Sequence, residues 1–325
     1  MTSDTILICG GAGYIGSALT SRILKETNYK VKVFDQLLYG GDSLYPFFNY
    51  LDRFKFIQGD LRTFDLGGLL DNVDYVVNLA ALVGEPICKK FPKETQEINF
   101  DANIKLAKKA EEKGIDRYVF TSTCSNYGLS VGDKMLDENA KLDPISLYAE
   151  TKVNSEKMLL EQLPKLQTTV LRCATAYGLA SRVRFDLILH EFIRDAWTKM
   201  KIYVYGAESW RPIVHVDDIA RAILLIIKNS NKLNKKDVYN VGSNDQNFQK
   251  MHLAELVANR LKTNIEITTT KKDPRNYRVL FDKVAQELKF ETLHKPVETI
   301  DQIAYALESG LIDDRVLFES VNVSK

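Results

Sequence analysis

Thr5-Ile-Leu-Ile-Cys-Gly-Gly-Ala-Gly-Tyr-Ile-Gly16 decides the fold. An aliphatic run predicts a strand over 5–9, and a helical pattern begins at Ile15 and continues to Glu26. Between them stand glycines at 10, 13 and 16. Glycine lets the backbone turn sharply and approach a diphosphate, and free N–H groups at the helix start favour the anion. A glycine triplet in this strand-to-helix context points to a dinucleotide cradle. Gly10, Gly13 and Gly16, with Tyr14 and Ile15 beside them, are the first candidate cofactor residues.

The same rhythm continues outward. Further strands are predicted over 30–34, 54–57, 75–79, 117–121 and 168–172, with helices over 95–113 and 147–163. Strand and helix alternating this often imply right-handed crossovers and a parallel sheet covered on both faces. The expected fold is α/β, a doubly wound parallel Rossmann sheet with a smaller α/β C-terminal substrate domain. The cofactor domain is placed at 1–175, with return segments near 202–242, and 176–325 is mainly the substrate domain. After Ala176 the pattern loosens to helix 185–199, strand 202–205, helix 216–229, strand 238–241 and helix 251–261.

Three later strand ends extend the cradle. Asp35 closes the second strand, where a carboxylate meets an adenosine ribose 2′-hydroxyl and repels a 2′-phosphate. That selects NAD over NADP. Asp60-Leu61 follows the third strand and is positioned for the adenine, although Asp60 also suits a plain turn. Leu79-Ala-Ala81 follows the fourth and is small enough to lie against a cofactor.

Composition narrows the class. The 325 residues are 45% apolar and 27% charged, the profile of an ordinary globular protein. Lys and Arg total 44 against 43 Asp and Glu, so no dedicated nucleic-acid surface is expected. No apolar run has the length of a membrane span, and the N-terminal layout is not that of a signal peptide, so a cytoplasmic protein is expected. Cys9, Cys88, Cys124 and Cys173 lack metal-ligand spacing and are taken as reduced thiols. With four histidines and no His/Cys/Asp cluster, no metal site is expected.

The chemistry centres on Tyr148 and Lys152, on one helical face at i,i+4, with Thr123 near the end of the fifth strand. A phenol of ordinary pKa about 10 is a poor base at neutral pH. A nearby ammonium favours the phenolate and makes general-base catalysis accessible. Tyr148 is expected to take a proton from a substrate alcohol as hydride leaves for NAD. Lys152 tunes it and reaches the cofactor ribose, and Thr123 hydrogen-bonds the reacting oxygen.

Together these pieces carry a family resemblance over nearly the whole chain. The Gly10–Gly16 loop, Asp35, Asp60-Leu61, Leu79-Ala-Ala81, Asn99, Thr121-Ser-Thr-Cys-Ser-Asn-Tyr-Gly128, Tyr148/Lys152, Arg172 through Gly178 and Arg211-Pro-Ile-Val-His-Val-Asp217 resemble an extended short-chain dehydrogenase/reductase. Within it the chain is similar to the NAD-dependent sugar-nucleotide epimerase/dehydratase group. A narrower likeness, in segments 80–90, 182–187 and 273–278, is to a subgroup that includes a GDP-heptose 4-dehydrogenase of a capsule pathway.

The resemblance implies an NAD-dependent oxidoreductase acting on a nucleotide-diphosphate sugar, oxidising a ring hydroxyl at C4 as an epimerase or 4-dehydrogenase. Dehydratases of the group carry a glutamate two residues after the active threonine. Here the two positions after Thr123 are Cys124 and Ser125, which argues against elimination. The alternatives are a sugar-nucleotide 4,6-dehydratase, a keto-sugar reductase, an enzyme of a different alcohol, or a non-catalytic NAD-binding regulator.

The resemblance also implies that Arg211 grips the substrate diphosphate, a fit for bidentate guanidinium recognition. Arg182, Arg184 and Arg275 are further substrate candidates, alongside Thr123 and Tyr148. His215 is expected to be structural, at a helix start. Thr175 stands where relatives carry Asn, so contacts there are expected to differ. A homodimer is implied through helices 95–113 and 147–163.

Overall fold

The computed structural model describes residues 4–130, 134–269 and 274–312. Its large sheet has seven parallel strands: β1 Thr5–Cys9, β2 Lys30–Asp35, β3 Phe54–Gln58, β4 Tyr75–Asn78, β5 Arg117–Thr123, β6 Thr168–Cys173 and β7 Lys236–Val241. They lie in the order β7-β6-β5-β4-β1-β2-β3. The chain leaves β1 towards β2 on one side and later returns to β4 on the other. That reversal opens a crevice at the carboxyl ends of β1 and β4.

Strand alternation explains why the sheet is buried on both faces. Ile6 and Ile8 of β1 enter one core, with Leu19 and Ile23 of helix Tyr14–Glu26 and Ile219 and Ile223 of helix Val216–Lys228. Their neighbours Leu7 and Cys9 enter the other, with Leu106 and Ala107 of helix Asn103–Lys113 and Leu159 of helix Leu147–Glu161. Side chains along a strand point alternately to opposite faces, so nearly every position of a doubly covered strand is apolar. Each such side chain contributes about 1.5–3 kcal/mol on full burial.

The second half is shared between two places. Helix Val216–Lys228 and β7 complete the large sheet's layers. A third core gathers Leu189, Phe192 and Ile193 of helix Ile188–Lys199, Leu253 and Val257 of helix Lys250–Leu261, and Ile300 and Ile303 of helix Pro296–Glu308. Strand Lys201–Val204, within the expected return region, pairs with Asn264–Ile267 and sends Ile202 and Val204 into this third core. Three short strands, Thr175–Tyr177, Trp210–His215 and Asn247–Gln249, form a separate sheet that carries Arg211 and Thr175.

The helix expected over 95–113 is three pieces: Pro92–Gln96, a π-helical stretch Glu97–Ala102, and Asn103–Lys113. The wide turn carries Asn99. Its side-chain oxygen accepts from the Leu82 N–H at 2.8 Å, and its Nδ2 donates to the Leu82 carbonyl at 2.9 Å. The Ser155 hydroxyl donates to the Asn99 carbonyl at 3.2 Å, tying the loop after β4 to the Tyr148 helix.

Candidate active site

The carboxyl ends of the strands open on a cleft of about 820 Å³. Its first wall is backbone. Gly10 has φ +82°, and a Cβ there would come within 2.8 Å of the Ala80 nitrogen. Glycine alone lets the loop after β1 lie against Leu79-Ala80. Gly13 caps helix Tyr14–Glu26 in extended conformation and contributes no side chain, so the helix's first N–H groups stay available to an anion. Cradle, helix start and small Ala80 and Ala81 fit the diphosphate of a dinucleotide.

Asp35 ends β2 and lines this wall. Its carboxylate accepts from the Ala12 N–H at 3.0 Å and the Leu37 N–H at 2.8 Å. Burial raises its pKa, while those backbone donors and the Arg182 guanidinium oppose the rise. Asp60 also lines the cleft but has a turn role. It accepts from the Arg62 N–H at 2.9 Å and forms a 2.6 Å ion pair with the Arg62 side chain. Hydrogen bonding from Arg62 holds its carboxyl below the usual range.

The end of the cleft expected to react, with Tyr148, Lys152 and Thr123, lies at β5 and helix Leu147–Glu161. The Ser146 hydroxyl caps that helix by accepting from the Ala149 N–H at 3.3 Å, which puts Tyr148 in the first turn. Lys152, only 3% exposed, donates from Nζ to the Thr121 carbonyl at 2.8 Å, and Nζ lies 5.9 Å from the Tyr148 ring centroid. Burial pushes this ammonium down to about 8. The Thr123 hydroxyl accepts from the Ser125 N–H at 3.1 Å. The Thr121 hydroxyl is buried without a hydrogen-bond partner among the described residues, and Thr121 lines the cleft.

Tyr148 differs from expectation in one respect. Burial raises its phenol well above the ordinary range, and the cation that opposes the rise is Arg184. Lys152 is itself desolvated and spends a donor on Thr121, which limits its pull on the phenol.

A group that sequence reasoning passed over holds this end rigid. Glu156 is the third member of the Tyr148, Lys152 helical face and is 2% exposed. It forms a 2.7 Å ion pair with Arg172 of β6 and accepts from Ser122 of β5 and from Asn126. Helix and strands are thereby clamped around Tyr148 and Thr123. The i,i+4,i+8 repeat was the available signal.

The two positions after Thr123 face differently. The Cys124 thiol is buried and donates to the Arg172 carbonyl at 3.2 Å. Ser125 lines the cleft, with its hydroxyl 3.2 Å from the Tyr277 hydroxyl. Cys9, Cys88 and Cys173 are likewise free, buried thiols.

The opposite wall is built from side chains. Arg211 is 4% exposed, donates to the Trp210 carbonyl at 2.6 Å and lies 5.5 Å from the Tyr277 ring centroid. Arg184 pairs with Asp186 at 2.5 Å, and Arg275 pairs with Glu85 at 3.5 Å. Arg182 lies over the Tyr39 ring at 3.8 Å, on the Asp35 side of the cleft. All four arginines line the cleft. Asp273, the first residue of the 273–278 segment, lies outside the described residues. His215 caps helix Val216–Lys228, its Nδ1 accepting from the Asp217 N–H at 3.1 Å, which is the structural role expected. Lys250 was not foreseen: it lines the cleft, is 3% exposed and donates to the Tyr205 carbonyl at 3.2 Å. An isolated lysine at a helix start carries no sequence signal.

Residues 6–242 match the model of the NAD dependent epimerase/dehydratase family. An uncharacterised UDP-glucose epimerase, YtcB, of Bacillus subtilis is 29% identical over 68% of this chain and 72% of its own length. A UDP-glucose 4-epimerase of Corynebacterium glutamicum is 26% identical over 95% of this chain and 97% of its own. Among solved structures, MoeE5 in complex with UDP-glucuronic acid and NAD superposes with a TM-score of 0.79 at 25% identity, covering 94% of this chain and 99% of that one. Family match, relatives and cradle agree on the cofactor. The chain belongs to the NAD-dependent epimerase/dehydratase family and is an NAD-dependent enzyme.

Proposed function

We propose that the enzyme oxidises a ring hydroxyl of a nucleotide-diphosphate sugar, at C4, as an epimerase or 4-dehydrogenase. The observation that carries this reading is the pairing of Tyr148 and Thr123 in one cleft with no carboxylate at Cys124 or Ser125. Tyr148 takes the proton from the substrate hydroxyl, and Thr123 donates to the same oxygen as it becomes a carbonyl. The Gly10–Gly16 loop, Asp35 and the Leu79–Ala81 loop would hold NAD, which would supply the hydride acceptor. Lys152 anchors the helix to β5 and presents a positive charge to this end. Elimination of water needs a carboxylate base beside the threonine, and the thiol of Cys124 is turned into the protein, with its pKa raised by burial.

Arg211 is assigned to the substrate diphosphate, supported by its burial at the cleft wall and by the UDP-sugars in the names of the relatives. A cofactor domain over 1–175 and a substrate domain mainly over 176–325 go with this reading, supported by the separate third core. So does a cytoplasmic location: the four cysteines are free thiols, and no described helix is long and apolar enough to cross a membrane. A homodimer through the 103–113 and 147–161 helices is also proposed. Exposed Lys105 and Lys108 on one helix complement exposed Glu150 and Glu161 on the other. A monomeric mass by sedimentation at assay concentration overturns that contact.

Replacing Tyr148 by Phe tests the central claim. Turnover of UDP-glucose or another nucleotide sugar, read from cofactor absorbance and sugar products, is expected to fall by about 10²–10⁴-fold. NAD affinity is expected to stay unchanged. Near-normal turnover in the variant removes Tyr148 from the chemistry.

A further inference from the structure

Arg182 has an unusual setting for an arginine in a protein wall. Its guanidinium carbon lies over the Tyr39 ring, 3.8 Å from the centroid, and it makes no ion pair or hydrogen bond among the described residues. Its neighbour Arg184 is neutralised by bidentate pairing with Asp186, at 3.0 and 2.5 Å. Two guanidinium groups therefore share one carboxylate, and the excess positive charge belongs to Arg182. A planar guanidinium stacked on an aromatic face keeps its in-plane N–H edge free for phosphate oxygens.

Its location matters as much as its chemistry. Arg182 belongs to the segment between strand Thr175–Tyr177 and helix Ile188–Lys199, on the substrate half of the chain. That segment is pinned at both ends. The Gly178 N–H donates to His190 Nε2 at 2.9 Å, the Tyr14 hydroxyl donates to the Gly178 carbonyl at 2.5 Å, and Arg194 donates to the Phe185 carbonyl at 3.1 Å. From this base Arg182 reaches Tyr39, four residues past Asp35, and its charge acts on the Asp35 carboxylate. Tyr39, Asp35, Gly10 and Gly13 line the same cleft.

We infer that Arg182 and Tyr39 form a clamp for the diphosphate of the adenosine half of the dinucleotide, so that a residue of the substrate half serves the cofactor. The inference rests on NAD binding, and not on the identity of the sugar. It moves Arg182 from the substrate set to the cofactor set and leaves Arg211 with the sugar nucleotide. Tyr39 holds the guanidinium plane, and Asp35 beside it takes the ribose hydroxyl.

Calorimetric titration of cofactor-free enzyme with NAD, ADP-ribose and UDP separates the two diphosphates without any turnover. Arg182→Ala is expected to weaken NAD and ADP-ribose by about tenfold or more, the loss of a charge-assisted contact, while UDP binding is unchanged. Arg182→Lys keeps the charge but not the flat stack and falls between the two; Tyr39→Leu gives a smaller loss in the same direction. Thermal melts check that each variant is folded. A UDP loss equal to or greater than the NAD loss overturns the assignment, and so does unchanged binding of both. Failure of hydride transfer with every nucleotide sugar would strike the proposed reaction and leave this result standing.

Discussion

The two walls of the cleft are built on different principles. The wall proposed for the cofactor is mostly backbone: glycines at 10, 13 and 16, a helix start, and strand ends held in order by a parallel sheet, with Asp35 and the Arg182–Tyr39 pair the side chains added to it. The wall proposed for the substrate is side chain: Arg184, Arg211, Lys250 and Arg275 arrive from four separate segments and stay in place through individual partners. A wall made mostly of backbone changes little outside its glycines and its few side-chain contacts, whereas a side-chain wall can be re-specified one residue at a time. The proposed chemistry sits on the seam, where helix Leu147–Glu161 meets β5.

The seam offers the largest effect. Removing the charge of Glu156 with Gln leaves Arg172 buried without its counter-ion and is expected to cost about 3–5 kcal/mol in urea unfolding. Replacing both partners by Leu and Met should recover most of that loss, since a packed apolar pair needs no desolvation. A variant as stable as the parent would mean that the clamp does not hold the seam.

Between pH 7 and 5 acid should act through the histidines, all of which lie in the second half. All four histidines follow residue 189, and burial depresses His190 and His215 to about 4. Between pH 6.5 and 4 the unfolded chain binds these protons and the folded chain does not. Stability is therefore full above the ordinary histidine value and is lost as pH falls, by roughly 2 kcal/mol per histidine at pH 5. His190→Gln should remove its share of the difference between urea curves at pH 7 and 5. An unchanged difference would put the acid sensitivity elsewhere.

The smallest effects separate the walls directly. A Cβ on Gly16 would lie 2.6 Å from the Gly11 Cα, with no flexible side chain there to yield. Gly16→Ala is expected to cost about 1–3 kcal/mol of stability and to weaken NAD without touching UDP. Arg211→Ala should do the reverse, weakening UDP by about tenfold and sparing NAD. Both ligands responding to either change would show one continuous site where two are drawn.

How much of this was legible in the sequence follows the same division. The strands of the sheet fell within a residue or two of their predicted ends, because doubly buried strands are apolar at nearly every position and several end at a glycine or an aspartate, as at Gly10, Asp35, Gly59 and Gly242. The Tyr148/Lys152 face and Thr123 were legible because short spacings and strand ends fix them. The π-helical turn at Asn99 was not, since one extra residue in a helix leaves the apolar pattern nearly intact. Asp60 was legible as a strand-end carboxylate at the cleft, while its pairing with Arg62, which gives it a turn role as well, was not foreseen. Lys250, Tyr277 and the reach of Arg182 to Tyr39 depend on contacts between distant segments, which no local pattern encodes.

The hydrogen bond from Tyr14 to the Gly178 carbonyl spans 164 positions of sequence. It joins the first residue of the cofactor helix to the base of the segment that carries Arg182 and Arg184. That bond ties the rim of the cleft at the helix start directly to the segment across from it. A Tyr14→Phe enzyme loses this cross-tie alone, and a looser rim would register as faster amide exchange at Gly178 with the fold otherwise intact.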